Sequence, residues 1–291
     1  MRPPTLLWGL LALGAGCGSD LSIPQYMQDL PRSEEESLRM LGEIRRELGP
    51  DTRVEQVEDF FFVASNDTDM MFHQCKATVA RVFRYLHTDY FTKKPEKPIR
   101  VYLFKDRQSY EGYCASTYQK PPSTPFGFYM SSERKMVMNI STGTGTLAHE
   151  LVHPLLSEDF PDVPSWFNEG FASLYEQSGP RDGKMVGFVN WRLPGLHKAL
   201  KMNRAVPLKD LLGFTAGQFY GEERGVNYAT ARYLCMYLQE KNLLIPFYRE
   251  FKVMHREEPT GAAALEKVTR LKLGELEADW RRWVLTLRYG D

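Results

Sequence analysis

Thr146-Leu-Ala-His149-Glu150-Leu-Val-His153 has the residue spacing of a helix that carries chemistry on one side. Positions four apart share a helix face, so His149 and His153 can aim two imidazole nitrogens at one ion. Glu150 follows the first of them and reaches a water activated by that ion, where a general base for metal-assisted hydrolysis belongs. Leu147, Ala148, Leu151 and Val152 give the helix an apolar back. In a chain with six histidines, this five-residue pattern arises by chance on the order of one time in a hundred, so it needs a second element. Pro164-Ser-Trp166-Phe-Asn-Glu169-Gly-Phe-Ala172 supplies one, a second helix with Glu169 in its first turn. Sixteen positions (169 − 153) leave room for a helix end, a turn and a return. Glu169 can then stand beside the two imidazoles and complete a His2Glu metal site with one open position.

Outward from this segment, strands come first and helices later. Ser33-Glu-Glu-Glu starts a helix that carries Leu38, Leu41, Ile44 and Leu48 at helical spacing and stops at Gly49-Pro50. Phe60–Ala64 and Ile99–Phe104 read as strands, with an amphipathic helix over 69–90 between them (Val79, Val82, Phe83, Leu86) and a short helix at 106–115 after them. Phe126–Met130 and Lys135–Ile140 flank Ser-Ser-Glu-Arg and form a hairpin. Helices then follow over 145–157, 165–178, 189–202, 226–241, 244–255 and 274–287. The pattern predicts an α+β fold with a small, mostly antiparallel sheet packed with helices and a helical C-terminal half. One domain covers 33–291, with an α/β part at about 55–160 and a helical part at about 161–291 that closes a cleft against it.

The chain has 291 residues with 37 basic and 37 acidic side chains, so no basic surplus speaks for nucleic acid. At the N-terminus, Arg2 precedes the apolar run Thr5–Leu13, too short to span a membrane and fitting the core of a secretory signal. Leu13-Gly-Ala-Gly-Cys17 resembles a bacterial lipobox, with Gly14 where the usual pattern has Leu. Two readings stand: residues 1–17 end in a lipidated Cys17 that attaches the chain to a membrane, or they form a plain signal peptide with Cys17 near the cut by accident. Either places the protein in the bacterial cell envelope, lipid-anchored or periplasmic, and polar residues 18–32 with Pro24 and Pro31 form a tether. Cys75, Cys114 and Cys235 contain no CxxC pair. A Cys75–Cys114 disulfide and three buried thiols are both open. His73, His87, His197 and His255 lie in other helical segments and are read as packing or surface residues.

Asn168-Glu169-Gly-Phe-Ala172 resembles the N-E-x-F-A segment of gluzincin aminopeptidases, and Thr146–Glu176 as a whole is similar to the bacterial peptidase MA-like proteins. The resemblance is specific over about 126–240. It implies a zincin-like, thermolysin-type catalytic core with Zn2+ on His149, His153 and Glu169, and Glu150 as base. Gluzincins also present a donor to the developing oxyanion from a later helix. Asn227-Tyr228-Ala-Thr-Ala-Arg-Tyr-Leu234 resembles that helix and points to Tyr228, with Tyr220 as the other candidate. The family implies that the strand before the metal helix, here Lys135–Ile140, is the edge along which an extended peptide pairs. Thr142-Gly-Thr-Gly-Thr146 is then a strand–helix connection; it lacks the Lys and spacing of a phosphate loop. The G-x-M-E-N-type segment that captures a free amine in the aminopeptidases is absent, which favours an endopeptidase acting on peptide or protein substrates. The competing expectation is a non-catalytic zinc-binding lipoprotein that serves as a binding or assembly module, although such a site has no need of Glu150.

Overall fold

The structure is a computed structural model that describes residues 33–290; the signal peptide, the lipobox with Cys17 and the tether expected over 1–32 lie outside the described residues. The first helix, α1 (Glu34–Leu48), begins where Ser33 accepts a hydrogen bond from the Glu36 N–H at 3.2 Å, behind three glutamates that suit the positive end of the helix. Five strands form the main sheet: β1 (Arg53–Val57), β2 (Phe61–Ser65), β3 (Ile99–Phe104), β4 (Gly127–Met130) and β5 (Lys135–Asn139). They lie in the order β1-β2-β3-β5-β4.

The sheet is mixed rather than mostly antiparallel. β1 with β2 and β4 with β5 are antiparallel, but β2 with β3 and β3 with β5 are parallel. Parallel neighbours need a crossover. The helix α2 (Asp69–Asp89) provides the first, and α3 (Arg107–Tyr118) with the strand β4 provides the second. The same topology puts β5 inside the sheet, so the expected edge at 135–140 is instead β4, whose single sheet partner is β5. All five residues of β2 and of β5 are buried, as befits strands covered on both faces.

Alternate side chains separate two layers. Phe61, Val63, Val101, Leu103, Met136 and Met138 face an apolar cluster that continues through α2 into the helical half. Phe62, Ala64, Tyr102, Phe104 and Val137 face a smaller cluster beneath α1 and α3. Cys75 belongs to the first cluster and Cys114 to the second, so the sheet stands between them and all three described cysteines are free and buried. A Cys75–Cys114 disulfide is therefore absent.

Beyond the sheet come α4 (Thr144–Asp159), α5 (Ser165–Leu174), a small hairpin of β6 (Ser178–Arg181) and β7 (Lys184–Gly187), and α6 (Leu193–Lys201). They are followed by α7 (Leu208–Leu212), α8 (Ala216–Phe219), α9 (Arg224–Glu240), α10 (Leu244–Met254), α11 (Ala262–Thr269) and α12 (Leu273–Thr286). The helix expected over 165–178 ends early because Arg232, fully buried on α9, takes its last carbonyls. The guanidinium donates to Ser173 O at 2.9 Å and to Leu174 O at 3.5 Å, with Phe188 O as a third acceptor. Its charge lies against the negative end of α5. Among the described residues no helix is long and apolar enough to cross a membrane.

Candidate metal centre

Two close backbone approaches assemble the site. A Cβ on Gly170 would stand 2.8 Å from the backbone of Ala231, so α5 and α9 pack almost main chain to main chain. A Cβ on Gly145, in the first turn of α4, would stand 2.2 Å from the carbonyl oxygen of Glu176. Glycine at these positions brings α4, α5 and α9 around one point.

The structure brings the expected ligands together there. His149, Glu150 and His153 each place a ligand atom within 4.8 Å of the others. Glu169 Oε2 lies 3.3 Å from His149 Nε2 and 3.8 Å from His153 Nε2. Metal–ligand bonds of about 2.0–2.2 Å in a tetrahedron separate neighbouring ligand atoms by roughly 3.3–3.6 Å, close to these spacings. Glu169 Oε2 is buried and has no hydrogen-bond partner. In the metal-free protein the His149 imidazolium at 3.3 Å balances its charge, and a metal ion held between the carboxylate and the two imidazoles would take over that role. The residues present can hold a divalent metal ion.

Each candidate ligand is held from behind. His153 Nδ1 lies 3.0 Å from Asn168 Oδ1, an acceptor, which leaves the proton on Nδ1 and the lone pair on Nε2. The Tyr220 hydroxyl donates to Glu169 Oε1 at 2.7 Å. His149 Nδ1 faces Glu176 Oε1 at 3.3 Å, and Glu176 receives a two-pronged contact from Arg192, Nε at 2.8 Å and Nη2 at 2.6 Å. Asn190, fully buried, adds a bond to Glu176 Oε2 at 3.1 Å.

The electrostatics follow from this crowding. Burial pulls the His149 pKa down, but Glu169 and Glu176 on its two sides outweigh it and lift the imidazole to about 10. Burial opposes ionisation of Glu169, yet His153, His149 and Tyr220 bring it down to about 2. Glu176 reaches about 2 against the same burial, chiefly through Arg192 and His149. Glu150 alone among the acids of this site goes up: burial dominates, and the two histidines recover only part of the cost.

Both tyrosines weighed from the sequence reach the site. Tyr220 and Tyr228 have ring centroids 6.2 Å apart, and Asn227 Nδ2 donates to Phe219 O at 3.0 Å, which ties the turn carrying Tyr220 to α9. Burial raises the Tyr228 pKa, and the nearby Glu169 carboxylate adds to the rise. The remaining histidines stay outside. His73 is exposed, His87 packs on Phe83, His197 Nε2 lies 2.9 Å from Val284 O, and His255 packs on Phe160 and Phe251.

Sequence reasoning missed Glu176, Arg192 and Asn190. Glu176 is seven residues after Glu169, two helical turns, and that spacing could have flagged it. Arg192 and Asn190 stand in a loop after β7 with no periodic signal, and only the fold brings them back. No family model matches the chain, and no curated protein matches it.

Proposed function

We propose that this chain is an exported zinc peptidase with a zincin-like core and endopeptidase action. The observation that carries the reading is the convergence of buried Glu169 Oε2 on the Nε2 atoms of His149 and His153, at 3.3 and 3.8 Å, with Glu150 on the same helix. A mixed sheet edged by the antiparallel β4, with α4 packed against it, supports the core assignment and offers β4 as the strand an extended peptide would join. Two imidazoles and one carboxylate suit zinc, which supplies Lewis acidity and activates water when bound.

The chain's own groups divide the remaining work. Glu150 has its pKa raised by burial, which suits a carboxylate that accepts a proton from the attacking water and returns it to the leaving amine. Tyr220 spends its proton on Glu169. Tyr228, which stands close to Glu169 with its ring beside Arg192, is the donor offered to the developing oxyanion. Residues 1–17 support export, and Cys17 supports a lipid anchor.

The test compares zinc content and peptide-library cleavage in wild type and Glu150→Gln. The proposal expects about one zinc per chain in both, with cleavage in wild type and a loss of at least roughly a hundredfold in the variant. Unchanged cleavage by Glu150→Gln would refute the mechanism. Stoichiometric zinc with no cleavage of any peptide would favour the envelope binding module.

A further inference from the structure

Arg192 touches two parts of the site at once. Its guanidinium grips both oxygens of Glu176, and its central carbon lies 5.2 Å from the centroid of the Tyr228 ring. The loop that delivers it is pinned. The Asn190 N–H donates to the Tyr233 hydroxyl at 3.1 Å, and Asn190 Oδ1 accepts from the Arg192 backbone N–H at 3.1 Å. The Asn190 side chain also bonds Glu176. On the opposite side, the Glu176 backbone is seated against Gly145, one helical turn before His149. The Glu176 carboxylate is thus fixed from three directions, with one oxygen turned toward His149 Nδ1.

A carboxylate held against one imidazole nitrogen keeps the proton there and turns the other nitrogen's lone pair outward. A two-pronged arginine contact fixes the plane of that carboxylate, which a lysine cannot do. The same guanidinium lies over the face of Tyr228, an attractive contact that limits where the ring can go. Arg181 and Glu240 form an ion pair of similar length, 2.8 Å, away from the site, and provide the contrast.

We infer that Arg192 is a positioning residue that orients the metal ligand His149 through Glu176 and steadies Tyr228 through its ring. The inference rests on the metal-site reading above.

The experiment measures zinc affinity by chelator competition in wild type, Arg192→Ala, Glu176→Gln, the double variant and Arg181→Ala, together with the unfolding midpoint of each metal-free protein. Removing a partner behind a metal ligand typically weakens binding about ten- to a hundredfold, and that loss is expected for Arg192→Ala and Glu176→Gln. Because both act by one route, the double variant should lose no more than the weaker-binding single variant. Arg181→Ala should bind as wild type does. Ring 15N shifts of zinc-loaded His149 should report a single Nδ1-protonated form in wild type and depart from it in Arg192→Ala, a change that loss of stability alone would not cause. If Arg192→Ala does not fold, Arg192→Lys is judged by the same measures, with a loss of several-fold expected. Zinc affinity within about twofold of wild type, or losses that multiply in the double variant, would overturn the inference. Wild type that binds no zinc would remove the metal reading and this inference together, whereas zinc held equally well by the Arg192 variant would remove the inference alone.

Discussion

The Tyr220 hydroxyl donates to one oxygen of Glu169 at 2.7 Å, while the other oxygen of that carboxylate faces His149 Nε2 at 3.3 Å. The proton of Tyr220 is therefore engaged on a proposed ligand. Tyr228, its neighbour at 6.2 Å between ring centroids, also stands close to the Glu169 carboxylate, which adds to the rise in its pKa.

Two phenylalanine variants should separate these roles. Tyr220→Phe removes a bond behind a metal ligand and should weaken zinc binding on the order of tenfold. Tyr228→Phe should leave zinc affinity nearly unchanged and lower kcat by roughly a hundred- to a thousandfold, the usual cost of one oxyanion donor. Zinc competition and steady-state kinetics on both variants check this. The opposite pattern would exchange the two assignments.

Proton release on metal binding follows from the charge arrangement. Without metal, His149 titrates at about 10, so at pH 7 it is protonated. Binding an ion requires the neutral ring, and uptake of zinc at pH 7 should expel close to one proton per site. Calorimetry in two buffers of different ionisation enthalpy measures it directly. The same groups set a stability window. The contribution of His149 is complete below its ordinary 6.5 and is lost as pH rises through about 10. The contributions of Glu169 and Glu176 are complete above their ordinary 4.5 and are lost as pH falls through about 2. The chelator-treated protein should therefore gain most from the site between these ordinary values and lose midpoint temperature on either side.

The meeting of the candidate ligands was legible in the sequence because their spacing obeys helical period. His149 and His153 are one turn apart, and Glu169 opens the next helix, so spacing alone predicts their meeting. The strands at 61–65 and 99–104 were legible from apolar runs, but their parallel pairing was not, since a crossover leaves the composition of a strand unchanged. The edge expected at 135–140 came from the family resemblance instead, and the sheet order gives that place to β4. The early end of α5 was hidden for a different reason. It depends on Arg232, fifty-eight positions beyond Leu174 (232 − 174), and no local pattern announces a cap delivered from another helix.

Thiol reactivity should follow burial. Cys75 and Cys114 have pKa values pushed up to about 12 and about 11 chiefly by burial, and burial raises Cys235 as well. The thiolate is the reactive form, so these three cysteines should react with a thiol reagent slowly in the native protein and promptly once it is unfolded. Reduction should produce no mass change assignable to a bond between Cys75 and Cys114. A rapid native reaction at any of the three would contradict their placement.

Gly145 and Gly225 make a matched pair, since both lie in the first turns of helices that carry site residues, α4 and α9. A methyl group on Gly145 would meet the Glu176 carbonyl at 2.2 Å, whereas one on Gly225 would meet nothing within 4 Å. Gly145→Ala should therefore destabilise the metal-free protein by about 1–3 kcal/mol, the range for forcing volume into a packed site. It should weaken zinc binding too, because relief of the clash moves Glu176 away from His149. Gly225→Ala should stabilise by about 0.4–1 kcal/mol through the lower entropy of its unfolded chain, with zinc affinity unchanged. Urea unfolding of both variants, with and without zinc, separates a helix-propensity effect from a site effect. If Gly145→Ala were as stable as wild type and bound zinc as tightly, the close seating of Glu176 on α4 would not be what fixes it beside His149.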